Sequence, residues 1–138
     1  MAATLKATAS QTGGGEPLRA SNPLQLLPRA VVSAPSDGMF ETGSAELPRN
    51  GTRYLRRLRG LITGASRITC TGHTDARGGS EANRKLGLAR ARAVCDFLTR
   101  GTPTKTRAKS QGERNPRAPN STTKGRARNR YVSIRVRY

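Results

Sequence analysis

Five side chains in the middle of the chain are of types that do chemistry: Cys70, His73, Asp75, Arg90 and Cys95. His73 is the only histidine, and an enzymatic reading would make it a base beside Asp75. No G-x-S-x-G elbow, P-loop or H-E-x-x-H accompanies the pair, so catalysis is not expected. Cys70, His73 and Cys95 lie on separate elements and lack the paired C-x2-C spacing of a dedicated zinc site, so no metal or other cofactor is expected either. Both cysteines stand where a small hydrophobic residue would serve and are expected to be buried free thiols. A disulfide between them requires a geometry that the sequence does not specify. Arg90 lies four residues after Leu86 and four before Val94, so apolar positions flank its base and a nearby counter-charge would be useful. From residue types alone, Asp75 and Arg90 could simply pair with each other or with backbone.

Charge narrows the partners without choosing one. The 138 residues carry 26 Lys and Arg against 8 Asp and Glu, a net +18, which favours an anionic partner. Nucleic acid, an acidic membrane surface and the carboxylate-rich bacterial wall all meet that demand. Aromatic residues make up 4% with no Trp, which argues against a base-stacking platform. No window approaches the 18 or so continuous apolar residues of a membrane span, and no apolar signal-peptide core is legible.

Several elements must position these groups. Residues 1–28 are rich in Ala, Thr, Ser, Gly and Pro, include Gly13-Gly14-Gly15, and read as a flexible leader. Residues 29–138 read as one folded domain, beginning in earnest near Ala30. Leu55, Leu58 and Ile62 are spaced for an amphipathic helix after Pro48. Ile68 and Cys70 share one side of a short strand, and GHTDARGG follows as a loop. A second helix over SEANRKLGLARARAVCDFL is predicted to bury Ala82, Leu86, Ala89, Ala93 and Phe97, with Ser80 as N-cap. Gly87 inside it marks either close packing or a weak point. The stretch from Ser110 to Asn129 reads as loop-rich. YVSIRVRY alternates, with Val132, Ile134 and Val136 on one face and Ser133, Arg135 and Arg137 on the other. The expected class is α/β: an α+β sandwich with helices packed on one face of a mixed sheet.

FETGSAEL, TGHTDARG, NRKLGLARARAVCDFL and QGERNPRAPNSTTKGRARNRYV occur in an order that resembles the OmpA-like C-terminal domain family. The resemblance runs from Met39 to Val136. It implies a module that holds peptidoglycan noncovalently through the diaminopimelate of the stem peptide. Diaminopimelate ends in a zwitterionic amino acid group, which needs a fixed anion for the ammonium and a guanidinium for the carboxylate. The family's motif residues for those roles fall on Asp75 and Arg90. The same resemblance makes Arg130 a second guanidinium that addresses a stem carboxylate or braces the pocket. It also places Thr74 beside Asp75, and Phe40, Glu41, Thr42 and Gly43 in a loop lining the cleft, where Phe40 is otherwise read as a core aromatic. Tyr131 stands where the family commonly has arginine, and Gly87 where it commonly has serine.

Three functional classes follow. The first is peptidoglycan binding in the periplasm or cell envelope, with envelope proteins as further partners. The second is nucleic-acid binding through nonspecific charge, supported by GRARNRYVSIRVRY. The third is reuse of the same scaffold as a structural part of an envelope or secretion apparatus.

Overall fold

The computed structural model describes residues 29–37 and 39–138; the proposed leader over residues 1–28 lies outside them. Seven elements follow in order: β1 (Arg29–Pro35), α1 (Thr52–Leu61), β2 (Arg67–His73), α2 (Ser80–Thr99), β3 (Lys105–Gly112), α3 (Thr123–Asn129) and β4 (Tyr131–Arg137). A single turn of 3-10 helix, Arg49–Gly51, leads into α1.

The period-2 alternation of the strands builds one mixed sheet in the order β1-β4-β2-β3. β4 pairs antiparallel with both β1 and β2, while β2 and β3 are parallel. A parallel pair requires a crossover, and α2 supplies it, packing along both strands that it connects. On one face of the sheet, Ala30, Val32, Ala34, Ile68, Cys70, Val132, Ile134 and Val136 meet Leu55, Leu58 and Ile62 of the α1 region and Ala91, Val94 and Leu98 of α2. This is the expected α+β sandwich with a mixed sheet.

The interior of α2 differs from the predicted stripe. Its buried residues are Asn83, Gly87, Arg90, Ala91, Val94, Cys95 and Leu98, whereas Ala82 and Ala89 are exposed and Leu86, Ala93 and Phe97 are half-buried. The buried face is turned by about one residue, roughly 100°. Hydrophobicity misplaces it because two of its members are polar and a third is glycine. That glycine marks close packing: a Cβ on Gly87 would stand 2.5 Å from Ser110 Oγ, and one on Gly72 would collide with the Gly87 carbonyl. Gly79 is the N-cap, and Ser80 is the first helical residue.

Two further expectations are corrected. Cys70 and Cys95 are not free thiols; they form a disulfide between β2 and α2, with Cα atoms 6.0 Å apart. Each was read as a small core residue, and only the docking of helix on strand makes them neighbours. The loop-rich stretch before β4 contains α3, whose Thr122 side chain caps Gly125 N at 2.9 Å. Seven residues are too few to display a helical period in sequence.

Candidate functional site

The ends of β1 and β2, the middle of α2 and the start of β4 converge on a cleft of about 760 Å³. Its lining includes all seven residues singled out from sequence: Phe40, Thr42, Gly43, Thr74, Asp75, Arg90 and Arg130. They come from four separate stretches of chain.

Asp75 lies just past β2 and is buried. Its Oδ1 accepts from the Arg77 backbone N–H at 2.9 Å and from Arg77 Nε at 3.2 Å. Its Oδ2 accepts from Arg77 Nη2 at 3.1 Å and from Arg130 Nη1. Burial alone would push this carboxyl up; the hydrogen bonds from Arg77 and Arg130 overcome it and hold the group at about 2. Asn83, on the first turns of α2, fixes the loop from behind by donating to the Asp75 and Arg77 carbonyls.

Arg130 is the brace. Its Nε and Nη2 grip both oxygens of Asp37 at 2.8 Å each, while its Nη1 reaches Asp75. The Asp37 hydrogen bond is the main reason that its guanidinium is driven further toward the charged form. Asp37 in turn is lowered by that hydrogen bond.

Arg90 is 4% exposed and has no carboxylate within ion-pair reach among the described residues. It donates instead to main-chain oxygens of the 41–44 loop, Nε to Ser44 at 2.9 Å and Nη2 to Glu41 at 3.2 Å. Its guanidinium carbon lies 5.1 Å from the Phe40 ring centroid. Desolvation lowers its pKa, the sign of a cation held away from water. Phe40 both joins the core cluster and forms the floor under Arg90. The Thr74 hydroxyl, also buried, has no hydrogen-bond partner among the described residues.

Three cleft residues whose side chains hold the hydrogen-bond network around Asp75 and Arg130 were not singled out in sequence: Asp37, Arg77 and Asn83. Asp37 gave no signal because its partner is 93 positions away. Asn83 opens the motif that contains Arg90 and could have been read from it. His73 is not part of this constellation. Its ring stacks on Tyr131 at 4.0 Å, and its Nε2 lies 3.5 Å from Ser133 Oγ. No group of three or more His, Cys, Asp or Glu able to hold a metal occurs among the described residues.

A mixed four-stranded sheet with its cleft built by the loops after β1 and β2, the face of α2 and the first residue before β4 defines an OmpA-like domain. The OmpA family model matches residues 39–130, and the chain belongs to that family. Among solved structures, it is similar to the cell wall anchor of the T6SS from Pseudomonas aeruginosa, with 30% identity, 79% of this chain and 81% of that chain covered, and a TM-score of 0.68. It is also similar to the peptidoglycan-associated lipoprotein from Burkholderia pseudomallei, with 27% identity, 76% and 89% coverage, and a TM-score of 0.63. Among curated proteins, it is 32% identical to the probable lipoprotein YiaD of Escherichia coli over 75% of this chain. The chain spans 49% of that relative's length and 60% of the outer membrane protein A of Bordetella avium. These relatives are named as a cell wall anchor, lipoproteins and an outer membrane protein. No described helix is long and apolar enough to cross a membrane.

Proposed function

We propose that this protein binds peptidoglycan without catalysis, through the amino acid end of diaminopimelate in the stem peptide, and so ties an envelope component to the wall. One observation carries the reading. A buried guanidinium, Arg90, has no carboxylate within ion-pair reach among the described residues, yet it shares a cleft with two carboxylates held firmly ionised, Asp37 and Asp75. An unpaired buried cation is costly, and a carboxylate brought by a ligand relieves that cost. The ligand's ammonium then has Asp75 to meet, and the unpartnered Thr74 hydroxyl is available for a further hydrogen bond. Residues 29–138 are taken as the binding unit, located in the periplasm or cell envelope. The disulfide supports an oxidising compartment.

The test is cosedimentation with purified sacculi at about 0.3 M salt, where long-range charge attraction is screened. Wild type should pellet, whereas Asp75→Asn and Arg90→Lys should stay soluble while keeping their circular dichroism. Free meso-diaminopimelate should compete, and Nα-acetyl-lysine amide, whose side chain ends in an ammonium with no carboxylate beside it, should not. Pelleting of both variants like wild type would overturn the assignment.

A further inference from the structure

The helices α1 and α2 pack on one face of the sheet. On the other face, β2, β3 and β4 present Arg67, Lys105, Arg107, Lys109, Arg135 and Arg137, every one of them exposed. None makes a salt bridge among the described residues, and no Asp or Glu lies on these three strands. Their register stacks like upon like: Arg67 stands directly opposite Arg137 on one side and Lys105 on the other. In the next row but one, Arg135 and Arg107 flank Thr69. Like charges directly opposite each other destabilise a sheet, so the array opposes folding.

Protection of an edge strand explains part of this. β3 is an edge strand, and Lys105, Arg107 and Lys109 discourage pairing with another chain. β4 and β2 are interior strands, so Arg67, Arg135 and Arg137 have no edge to protect. Their unneutralised charge calls for an external anion.

The array spans about 10 Å across three strands and about 14 Å along them. Readers of nucleic acid put a helix or ribbon into a groove, or stack bases on exposed rings. The array offers neither; the nearest rings, Tyr131 and His73, stack on each other, and Arg117 covers Tyr131 at 3.5 Å. Val31, 59% exposed, stands opposite Arg135 at the margin of the array and adds an apolar contact. A field of six exposed cations on one sheet face, with an apolar margin, matches a bilayer surface rich in lipid phosphates.

We infer that the open face of the sheet docks on an anionic phospholipid membrane. Its most basic row, Arg137, Arg67 and Lys105, lies at the end of the strands opposite the cleft, so one molecule can hold a ligand in the cleft and touch a membrane with its far pole. This does not rest on the identity of the cleft ligand.

Flotation of the full chain with vesicles tests it. Vesicles of phosphatidylcholine with about 30% phosphatidylglycerol should carry the protein at about 0.1 M salt, and pure phosphatidylcholine vesicles should not. The triple variant R67Q/R107Q/R137Q should lose on the order of a hundredfold in partitioning, about fivefold for each removed cation. R53Q/R56Q/R57Q removes the same charge from the exposed side of α1 and should change partitioning by less than about threefold. Unchanged circular dichroism and melting would show that both triples are folded. Equal losses in the two triples, or equal flotation with neutral vesicles, would overturn the inference. So would displacement from the vesicles by a short DNA duplex at matched phosphate, which would make nucleic acid the partner.

Discussion

Asp75 and Arg90 line one cleft and are not paired with each other: the carboxylate is taken by Arg77 and Arg130, the guanidinium by the carbonyls of Glu41 and Ser44. Opposite charges that close to a common cavity, each held by a different neighbour, form a preorganised dipole. A zwitterion can lie across it without first breaking a pair between the two.

One neighbour does compete. The Arg77 side chain is 62% exposed and holds both Asp75 oxygens. A ligand ammonium must share or displace it. Arg77→Ala should therefore strengthen sacculus binding a few-fold at a stability cost of about 1–2 kcal/mol, because Asp75 is buried but keeps the residue-77 backbone N–H and Arg130 as partners. Weaker pelleting of this variant would instead place Arg77 among the groups that contact the ligand.

Arg130 holds Asp37 and Asp75 together across 93 and 55 positions of sequence. Arg130→Ala leaves Asp75 buried with only Arg77 against it. The expected loss is about 2–3 kcal/mol in urea denaturation, together with weakened sacculus pelleting. A loss under about 0.5 kcal/mol would mean that the brace adds no net stability.

Cys70 and Cys95 close a loop with a sequence separation of 25. Cys70→Ala with Cys95→Ala should cost about 3 kcal/mol, mainly by freeing the unfolded chain. Reductant should lower the wild-type Tm toward that of the double variant and leave the double variant unmoved.

Gly72 and Gly60 should respond oppositely to alanine. A Cβ at Gly72 meets the Gly87 backbone, with no flexible side chain to yield, so Gly72→Ala should cost roughly 3 kcal/mol or abolish folding. Gly60 lies within α1 with nothing near its Cβ position, so Gly60→Ala should stabilise by up to about 1 kcal/mol. Thermal melting of the two variants checks both signs.

His73 is held at about 4, below its ordinary 6.5, first by burial and then by Arg117. Between those values the unfolded chain binds more protons than the folded one, so stability falls as pH drops. The contribution is complete above about pH 6.5 and is lost progressively down to about pH 4, amounting to about 1–2 kcal/mol after allowance for solvent screening. His73→Phe should keep a ring against Tyr131 and remove that slope from denaturation curves taken across the interval.

Much was legible in sequence because it is local. The alternation Val132, Ile134, Val136 and the spacing Leu55, Leu58, Ile62 mark buried faces directly, and all six residues are core. The same holds for the cleft residues that sit in short motifs: Asp75, Arg90 and Arg130 were readable by their place in the resemblance, and the fold gathers them into one cavity. Where motif and hydrophobicity conflicted, hydrophobicity misled. The inner face of α2 carries Asn83, Gly87 and Arg90, whose reasons for burial are hydrogen bonds and close approach rather than apolar area, so a stripe drawn through alanines and leucine fell about 100° away. What only the tertiary structure decided is what depends on distant partners. Asp37 meets Arg130 across 93 residues, Cys70 meets Cys95 once α2 lies on β2, and six cations from three strands become one field only when sheet register aligns them. Side-chain type and local period specify which face of an element is buried; the docking of elements specifies which charges face each other, and no local pattern encodes that.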